Sequence, residues 1–179
     1  MAVARRIPES DQYVKNGEWR VEWAPLMMLG TDVHHKTLGI IGMGRIGKAI
    51  AQRARGFEMN LIYTDTQRDE EVEKKFGARF ATLEELLRES DFVSVHVPLV
   101  PETKHLINAE KLSLMKKTAF LINTSRGPVV DEQALAQALE KKQLAGAALD
   151  VFEREPLPRE SPLNKMKNVV LVPHIGSAS

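Results

Sequence analysis

A glycine-rich turn and a downstream acid have the types and spacing of a dinucleotide site. The segment GMGRIG (residues 42–47) follows an apolar run and opens a helical pattern. Gly42 permits a tight turn off a strand, Gly44 lets backbone approach a pyrophosphate, and Gly47 allows close packing of helix on sheet. The helix N-terminus then offers free N–H groups to the phosphates. Asp65, about 20 residues further on, is placed to accept hydrogen bonds from the adenosine ribose.

The order of these parts decides between a ligand site and an ordinary glycine turn. Strand, turn, helix, second strand and terminal acid all occur within one βαβ length, which favours dinucleotide binding. A carboxylate at Asp65 would repel a ribose 2′-phosphate, so NAD(H) is favoured over NADP(H). Arg68 lies close enough in sequence to weaken that preference.

Three later strand candidates run into charged segments that suit reduction of a 2-keto acid. Arg126 follows one strand, Asp150, Glu153 and Glu155 follow the next, and His174 follows the last. An arginine fork can hold a carboxylate and polarise a keto oxygen. A histidine can donate the proton that the new alkoxide needs. A carboxylate on the other ring nitrogen fixes the tautomer, and the spacing leaves Glu153 and Glu155 as competitors for that position.

The pattern that positions these groups is an alternation of buried strands and amphipathic helices. The predicted strands are Thr37–Ile41, Asn60–Tyr63, Phe92–Val97, Ala119–Asn123, Gly146–Leu149 and Val169–Val172. The predicted helices are Arg45–Arg55, Asp69–Phe76, Leu83–Glu89, Ala109–Met115 and Glu132–Lys141, with caps at Thr82 (paired with Glu85) and Asp131. Most strands lack period-two alternation, as parallel strands buried on both faces do. We therefore predict an α/β fold of Rossmann type, a doubly wound parallel sheet with helices on both faces.

Two segments do not show this alternation of strands and helices, namely residues 1–36 and 151–167. The first segment, the N-terminal arm, contains a short helix candidate at Ala2–Arg6 and both tryptophans, Trp19 and Trp23, beside an apolar stretch. The arm could fold over its own domain, but we favour a contact between subunits. The second segment is rich in proline and charge and is predicted as a long surface loop. The predicted domains are the arm at 1–36 and a dinucleotide-binding domain at 37–179.

Composition excludes several other classes of protein. The chain has 179 residues, 25 basic against 24 acidic side chains and a net charge of +1. This balance gives no reason to expect a nucleic acid or an anionic membrane as partner. No apolar run reaches the length of about 18 residues that a membrane helix needs, and the first ten residues do not have the pattern of a signal peptide. We therefore expect a cytoplasmic protein.

Metal and thiol chemistry are not expected from this sequence. Cysteine is absent, which excludes disulfides and thiolate ligands. The histidines lack metal-ligand spacing: His34 and His35 are adjacent, and adjacent side chains should diverge. His96 lies inside a strand pattern and is predicted to be packed and hydrogen-bonded.

Five segments in order carry a resemblance to a known family: GIIGMGRIGKAIAQRARGF, PLVPETKHLIN, LINTSRGPVVDEQAL, AGAALDVFEREP and NVVLVPHIGSAS. The chain resembles the D-2-hydroxyacid dehydrogenases, especially their glyoxylate/hydroxypyruvate reductase branch. The resemblance implies an NAD(H)-dependent reduction of a small 2-keto acid, of glyoxylate or hydroxypyruvate type. It also implies a homodimer formed through the dinucleotide-binding domain, which would give the N-terminal arm a role.

The resemblance assigns roles to individual positions. The implied catalytic groups are Arg126 as substrate anchor, His174 as general acid/base and Glu155, the acid before Pro156, as its partner. Asp150 matches the acid that holds the nicotinamide carboxamide. The remaining positions assigned to the cofactor are Arg45 and Ile46 on the pyrophosphate, Pro98 on the adenosine side, and Thr124 and Gly176 in the strand-end segments. His35 stands where the family usually has glycine.

Two alternatives stay open at this point. The family has a separate substrate lobe that this sequence lacks, so we expect an isolated cofactor domain whose activity is incomplete. The missing lobe favours an NAD-sensing binding or corepressor-like module, whereas the presence of Arg126, Glu155 and His174 favours an enzyme. A formate dehydrogenase would carry glutamine in place of Glu155, and a phosphite dehydrogenase has no specific support.

Overall fold

The computed structural model describes residues 1–178 and contains one seven-stranded parallel sheet. Its strands are β1 Thr37–Ile41, β2 Asn60–Thr64, β3 Arg79–Phe80, β4 Phe92–Val95, β5 Phe120–Asn123, β6 Gly146–Leu149 and β7 Val169–Leu171. Their order across the sheet is β3-β2-β1-β4-β5-β6-β7. The predicted doubly wound α/β fold is confirmed. The sequence did not indicate β3, which has only two residues, both of them exposed.

Six α-helices in the described residues connect or flank these strands. They are α1 Ile7–Lys15, α2 Arg45–Ala54, α3 Glu70–Phe76, α4 Leu83–Glu89, α5 Ala109–Ser113 and α6 Glu132–Glu140. The predicted capping box forms, because Thr82 accepts from the Glu85 N–H while the Glu85 carboxylate accepts from the Thr82 N–H. Asp131 caps α6 by accepting from the Ala134 N–H. Within residues 1–178 there is no helix with the length and apolarity needed to cross a membrane.

The helices cover both faces of the sheet, and each face has its own core. One core gathers side chains of α4, α5 and α6 against β4, β5 and β6. The other joins α2 and α3 to β1 and β2, and it also includes Val3 and Ala4 from the N-terminal arm. Parallel strands buried on both faces need the continuous apolar runs seen in the sequence.

The prediction of a helix at Ala2–Arg6 is wrong. These residues form turns, and the helix begins at Ile7. Arg6 has φ 53, a left-handed conformation that interrupts a right-handed helix. Pro8 then lies in the first turn of α1, where its missing N–H costs no hydrogen bond.

The strand register brings the functional segments to one edge of the sheet. Ile41 pairs with Val95 of β4, which pairs with Asn123 of β5; Asn123 pairs with Leu149 of β6, which pairs with Leu171 of β7. The residues immediately after these five positions therefore share one edge, which we call the carboxyl edge. The opposite edge, where Thr37 and Asn60 begin their strands, we call the amino edge.

Candidate functional site

The glycine turn sits between β1 and α2 in the tight geometry that the sequence predicts. Gly42 has φ 92, and a Cβ there would lie 2.9 Å from the carbonyl oxygen of His96, so both conformation and space require glycine. A Cβ on Gly47 would overlap the carbonyl oxygen of Gly42. The two glycines thus let α2 start directly on top of β1.

The N-terminus of α2 is open toward solvent. Gly44 is the N-cap residue without a side-chain cap, and apart from its chain neighbours no described residue comes within 4 Å of a Cβ built there. Arg45 and Ile46 are exposed in the first turn, with Ile46 62% accessible. The first N–H groups of a helix have no intrahelical partners and form a natural site for phosphate. This cradle fits the pyrophosphate of a dinucleotide.

Asp65 follows β2 and is tied to the same turn. Its Oδ2 accepts from the Met43 N–H at 2.7 Å, and its Oδ1 accepts from the Thr66 N–H at 2.6 Å. A carboxylate has about four lone-pair sites, so Asp65 keeps capacity for ribose hydroxyls. Sequence reasoning missed the contact with Met43, because nothing in a pattern of spacing reveals which backbone N–H faces an acid.

Arg68 pairs with Glu73 and not with Asp65. Its guanidinium makes two hydrogen bonds to Glu73, of 2.8 and 2.7 Å, in a paired geometry. The hydrogen bonds to Glu73 raise the pKa of Arg68. Arg68 thus already has a partner in α3. This pairing weakens the case that Arg68 binds the ribose 2′-phosphate of NADP(H).

The segments after β4 and β5 supply the next residues along the carboxyl edge. His96 bonds through Nε2 to the Ser94 hydroxyl at 2.8 Å, and burial lowers the pKa of His96 to about 4. The prediction that His96 is packed and hydrogen-bonded is confirmed. Pro98 and Thr124 are both exposed at this edge, as contact with a cofactor requires.

Arg126 lies on a loop that a buried asparagine shapes. Asn123 accepts from the Ser125 N–H at 3.0 Å and donates to the Arg126 carbonyl oxygen at 3.0 Å. The Arg126 side chain is exposed, and within the described residues its one hydrogen bond is to the carbonyl oxygen of Ser125, at 2.6 Å. The other N–H groups of the Arg126 guanidinium can bind a carboxylate.

His174 and Glu155 form a close pair. The His174 Nδ1 lies 2.7 Å from Oε2 of Glu155, and the other carboxylate oxygen accepts from the Phe152 N–H at 3.0 Å. The hydrogen bond with His174, followed by that from Phe152, lowers the pKa of Glu155. Glu155 is therefore a carboxylate at neutral pH and accepts from Nδ1–H. The Nε2 of His174 is then the nitrogen free to exchange a proton with a substrate.

Glu153 serves a different histidine. Its Oε1 lies 2.8 Å from Nε2 of His105 and 3.1 Å from the Glu132 N–H. Of the two acids that competed for His174, the structure places Glu155 on it and Glu153 on His105. Side chains in this non-helical loop point in different directions, so spacing alone did not decide between the two acids.

Asp150 holds the segment that carries His174. Its carboxylate accepts from the Ile175 N–H at 2.7 Å and from the Gly176 N–H at 2.8 Å, and its own carbonyl oxygen accepts from the His174 N–H. Asp150 is only 4% exposed. A Cβ on Gly176 would stand 2.7 Å from Asp150 Oδ2, so glycine is required there. The resemblance gave Asp150 a contact with nicotinamide; the structure adds a bracing role that sequence reasoning missed.

A pocket of about 500 Å³ opens beside the His174–Glu155 pair. Its wall is mostly apolar and comes from the loop after β6 and the end of β7, including Phe152, Leu157 and Leu171. This wall gives the His174–Glu155 pair an apolar surface on one side, whereas its other side is open to solvent.

The prediction that His34 and His35 diverge is wrong. Their rings lie 3.7 Å apart between centroids, and both face Glu58. His35 has φ 60, and this left-handed backbone turns its side chain back toward its neighbour.

Comparison with known proteins identifies the chain as part of a family. Residues 1–176 match the model for the D-isomer specific 2-hydroxyacid dehydrogenase NAD binding domain. Glyoxylate reductases of Korarchaeum cryptofilum and Pyrococcus horikoshii are 58% and 57% identical over all of this chain, which covers 54% of each protein. The chain thus spans about half the length of the curated relatives it matches.

Solved structures agree with the sequence matches. A Thermus thermophilus protein superposes with a TM-score of 0.93 at 47% identity, covering 99% of this chain and 55% of that one. A D-lactate dehydrogenase with NAD+ from Lactobacillus jensenii superposes with a TM-score of 0.85 at 32% identity, covering 98% and 55%. An imino acid reductase with NADPH and D-Arg also superposes with a TM-score of 0.85 at 32% identity, covering 97% and 53%. The predicted NAD(H)-binding domain is confirmed, and the chain belongs to the D-isomer specific 2-hydroxyacid dehydrogenase family.

Proposed function

We propose that this chain is the NAD(H)-binding part of a reductase that converts a small 2-keto acid, of glyoxylate or hydroxypyruvate type, into its D-2-hydroxy acid. The observation that carries the proposal is the His174–Glu155 pair at 2.7 Å on the same edge of the sheet as the N-terminus of α2. An imidazole oriented by a carboxylate beside a dinucleotide cradle is the arrangement that reduction of a carbonyl needs. The family and its glyoxylate reductase relatives support this substrate class.

One set of residues would bind the cofactor. Bound NADH supplies the hydride. The first turn of α2, with Arg45 and Ile46, holds the pyrophosphate, and Asp65 holds the adenosine ribose. Pro98 lines the adenosine side; the other cofactor contacts at the carboxyl edge are those of Thr124, Asp150 and Gly176.

The substrate is held and protonated by the second set of side chains. Arg126 binds the carboxylate of the substrate and polarises its keto oxygen. His174 donates a proton from Nε2 to that oxygen as negative charge develops on it. Glu155 keeps the tautomer fixed and stabilises the charged imidazole before transfer. In the reverse direction the same histidine accepts the proton.

The test measures binding and turnover separately. Calorimetric titration with NADH should show saturable binding by the 179-residue chain and by its His174→Ala variant alike. Oxidation of NADH with glyoxylate or hydroxypyruvate should be lost in that variant. The matched control is His105→Ala, which removes the other histidine–glutamate pair and should leave turnover unchanged.

The outcomes separate the two functions that the sequence left open. NADH binding with no turnover by the parent chain would fit both a dinucleotide-sensing module and a cofactor domain that acts only within a longer protein, and NADH-dependent binding of a protein partner would favour the module. Turnover that survives His174→Ala would contradict the proposed acid/base role. Failure to bind NADH would contradict both.

The proposal includes a homodimer formed through the N-terminal arm at residues 1–36. The arm exposes a set of large apolar side chains, among them Trp23 at 78%, Leu26 at 77% and Leu29 at 60%. Exposed apolar side chains that form a continuous patch on a protein surface often mark a protein contact. The arm therefore supports a subunit interface more than it supports simple folding over its own domain. We also propose a cytoplasmic location for the enzyme.

A further inference from the structure

A cluster of three potential metal ligands lies at the amino edge, remote from the His174 site. It combines His34 and His35, which precede β1, with Glu58, which precedes β2. The His34 Nε2 lies 3.8 Å from one carboxylate oxygen of Glu58, and the His35 Nδ1 lies 3.6 Å from the other. One ligand atom from each residue falls within 4.8 Å of the other two.

The backbone, and not chance side-chain contact, brings these groups together. His35 has φ 60 and Glu58 has φ 50, both in the left-handed region that residues with a Cβ seldom adopt. The His35 N–H donates to the Phe57 carbonyl oxygen at 3.1 Å, which ties the two turns to each other. The Asn60 N–H donates to the Lys36 carbonyl oxygen at 3.0 Å just beyond. Backbone strain of this kind concentrates where a side chain must be aimed.

The ligand set and its spacing suit a divalent transition metal. Two imidazoles and one carboxylate are a known zinc set, completed by water in the fourth position. Bonds of about 2.0–2.1 Å in a tetrahedron put ligand atoms about 3.3–3.4 Å apart. The present separations of up to 4.8 Å must therefore close by as much as about 1.5 Å, which rotation of these exposed side chains can supply. The side chains are 56%, 64% and 66% exposed, which leaves room for the ion and its water.

We propose that His34, His35 and Glu58 form a binding site for a divalent transition metal ion, with Zn²⁺ as the best-fitting probe. The ion would join the turn that leaves the N-terminal arm to the turn between α2 and β2. Because the strands separate this site from the carboxyl edge, its role is to stabilise the fold and not to take part in the chemistry at His174. An exposed ion pair alone contributes little to stability, and the metal would convert the cluster into a cross-link.

The test is a calorimetric titration of the untagged, metal-stripped chain with ZnCl₂. We expect one Zn²⁺ per chain. The variants are His34→Gln, His35→Gly and Glu58→Gln. Loss of a hydrogen-bonding partner around a metal ligand already costs about 10- to 100-fold in affinity, so loss of a ligand should cost at least about tenfold. The matched control is His105→Gln, because His105 pairs with a glutamate at 2.8 Å but has no second histidine.

His35→Gly separates the loss of a ligand from a defect in folding. Glycine accepts a φ of 60 without strain, so this variant should be at least as thermostable as the parent without metal. Added Zn²⁺ should raise the melting temperature of the parent and not that of His35→Gly. The NADH affinity should be the same with and without Zn²⁺ in both proteins, which keeps this result independent of the proposed function.

Three results would overturn the proposal. The first is no saturable Zn²⁺ binding by the parent chain. The second is equal affinity in the parent and the three variants. The third is one Zn²⁺ per two chains with metal-dependent association in sedimentation, because the ion would then bridge copies instead of joining two turns of one chain.

Discussion

At the scale of single residues, two glutamates two positions apart have separate histidine partners. Glu155 lies 2.7 Å from His174, and Glu153 lies 2.8 Å from His105. The Phe152 N–H donates to Glu155, and the Glu132 N–H donates to Glu153, so backbone contacts fix each carboxylate in place. The two acids therefore allow a comparison between the proposed catalytic pair and a second histidine–glutamate pair outside it.

Replacing Glu155 with glutamine should impair the reaction. An amide cannot stabilise a charged imidazole as a carboxylate does. The kcat/KM for carbonyl reduction should therefore fall by more than about tenfold. Glu153→Gln is the matched control and should leave kcat/KM unchanged. An unchanged kcat/KM in Glu155→Gln would contradict the proposed role of the pair.

His96 should make the stability of the fold depend on pH. Burial lowers its pKa from 6.5 to about 4, so between these values the unfolded chain binds a proton that the folded chain does not. The free energy of unfolding should therefore fall as the pH drops from 6.5 to 4. In His96→Gln this fall should shrink by about 2 kcal/mol, measured by urea denaturation at both ends of the window. Parallel pH dependences in the two proteins would show that His96 is not the responsible group.

At the scale of elements, Gly44 and Gly47 of the same motif have different surroundings where α2 packs on β1. A Cβ on Gly47 would overlap the Gly42 carbonyl oxygen, whereas a Cβ on Gly44 would meet no described residue within 4 Å apart from its chain neighbours. Gly47 thus serves the packing of helix on sheet, and we propose that the space at Gly44 admits the phosphates of the cofactor.

Two alanine substitutions should separate these tasks. Gly47→Ala improves helix propensity by about 1 kcal/mol, yet the overlap should outweigh it and lower the free energy of unfolding by about 1–3 kcal/mol. Gly44→Ala should leave stability nearly unchanged but weaken NADH binding, because the new methyl group occupies the approach to the phosphate. Denaturation and calorimetry on both variants, with Gly56→Ala as control, check this. Equal effects of the two variants on stability would contradict the assignment.

Sequence patterns predicted the elements that carry a clear apolar run or an apolar helical face. Apolar runs located six of the seven strands, but β3 is too short and exposed to leave a signal. The prediction of a helix at Ala2–Arg6 was wrong because the left-handed backbone conformation of Arg6 cannot be recognised from its residue type. The spacing also predicted that the glycine motif, Arg126, Asp150 and His174 follow strands, as they do in the structure. The contacts of Asp65 with Met43 and of Asp150 with the His174 segment depend on loop conformation, which spacing does not determine.

At the scale of the whole molecule, the N-terminal arm belongs partly to the core and partly to the surface. Val3 and Ala4 are buried against the β1 face of the sheet, with Ala4 only 1% exposed. Further along, Trp23 and Leu26 are the most exposed large apolar side chains in the described residues. The arm is thus anchored at its start and presents an apolar surface beyond.

Charge on this surface should prevent dimer formation. Trp23→Glu should shift the chain from dimer to monomer in sedimentation velocity, because a carboxylate in an apolar interface remains unpaired. Its thermal unfolding as a monomer should stay cooperative, since Trp23 is 78% exposed in the single chain. Val100→Glu, at another exposed apolar position, is the control. A parent chain that sediments as a monomer would contradict the proposed interface.

The place of β1 in the middle of the sheet affects how the chain folds as it is made. β1 pairs with β2 on one side, but its other neighbour is β4, which begins at Phe92. During synthesis the apolar β1 therefore has an unpaired edge until the whole of α2, α3 and α4 has followed it from the ribosome. Parallel pairing over such separations is slow, and an unpaired strand edge in that interval is prone to aggregation. Slower synthesis across residues 60–91 should lengthen that exposure and lower the yield of folded protein.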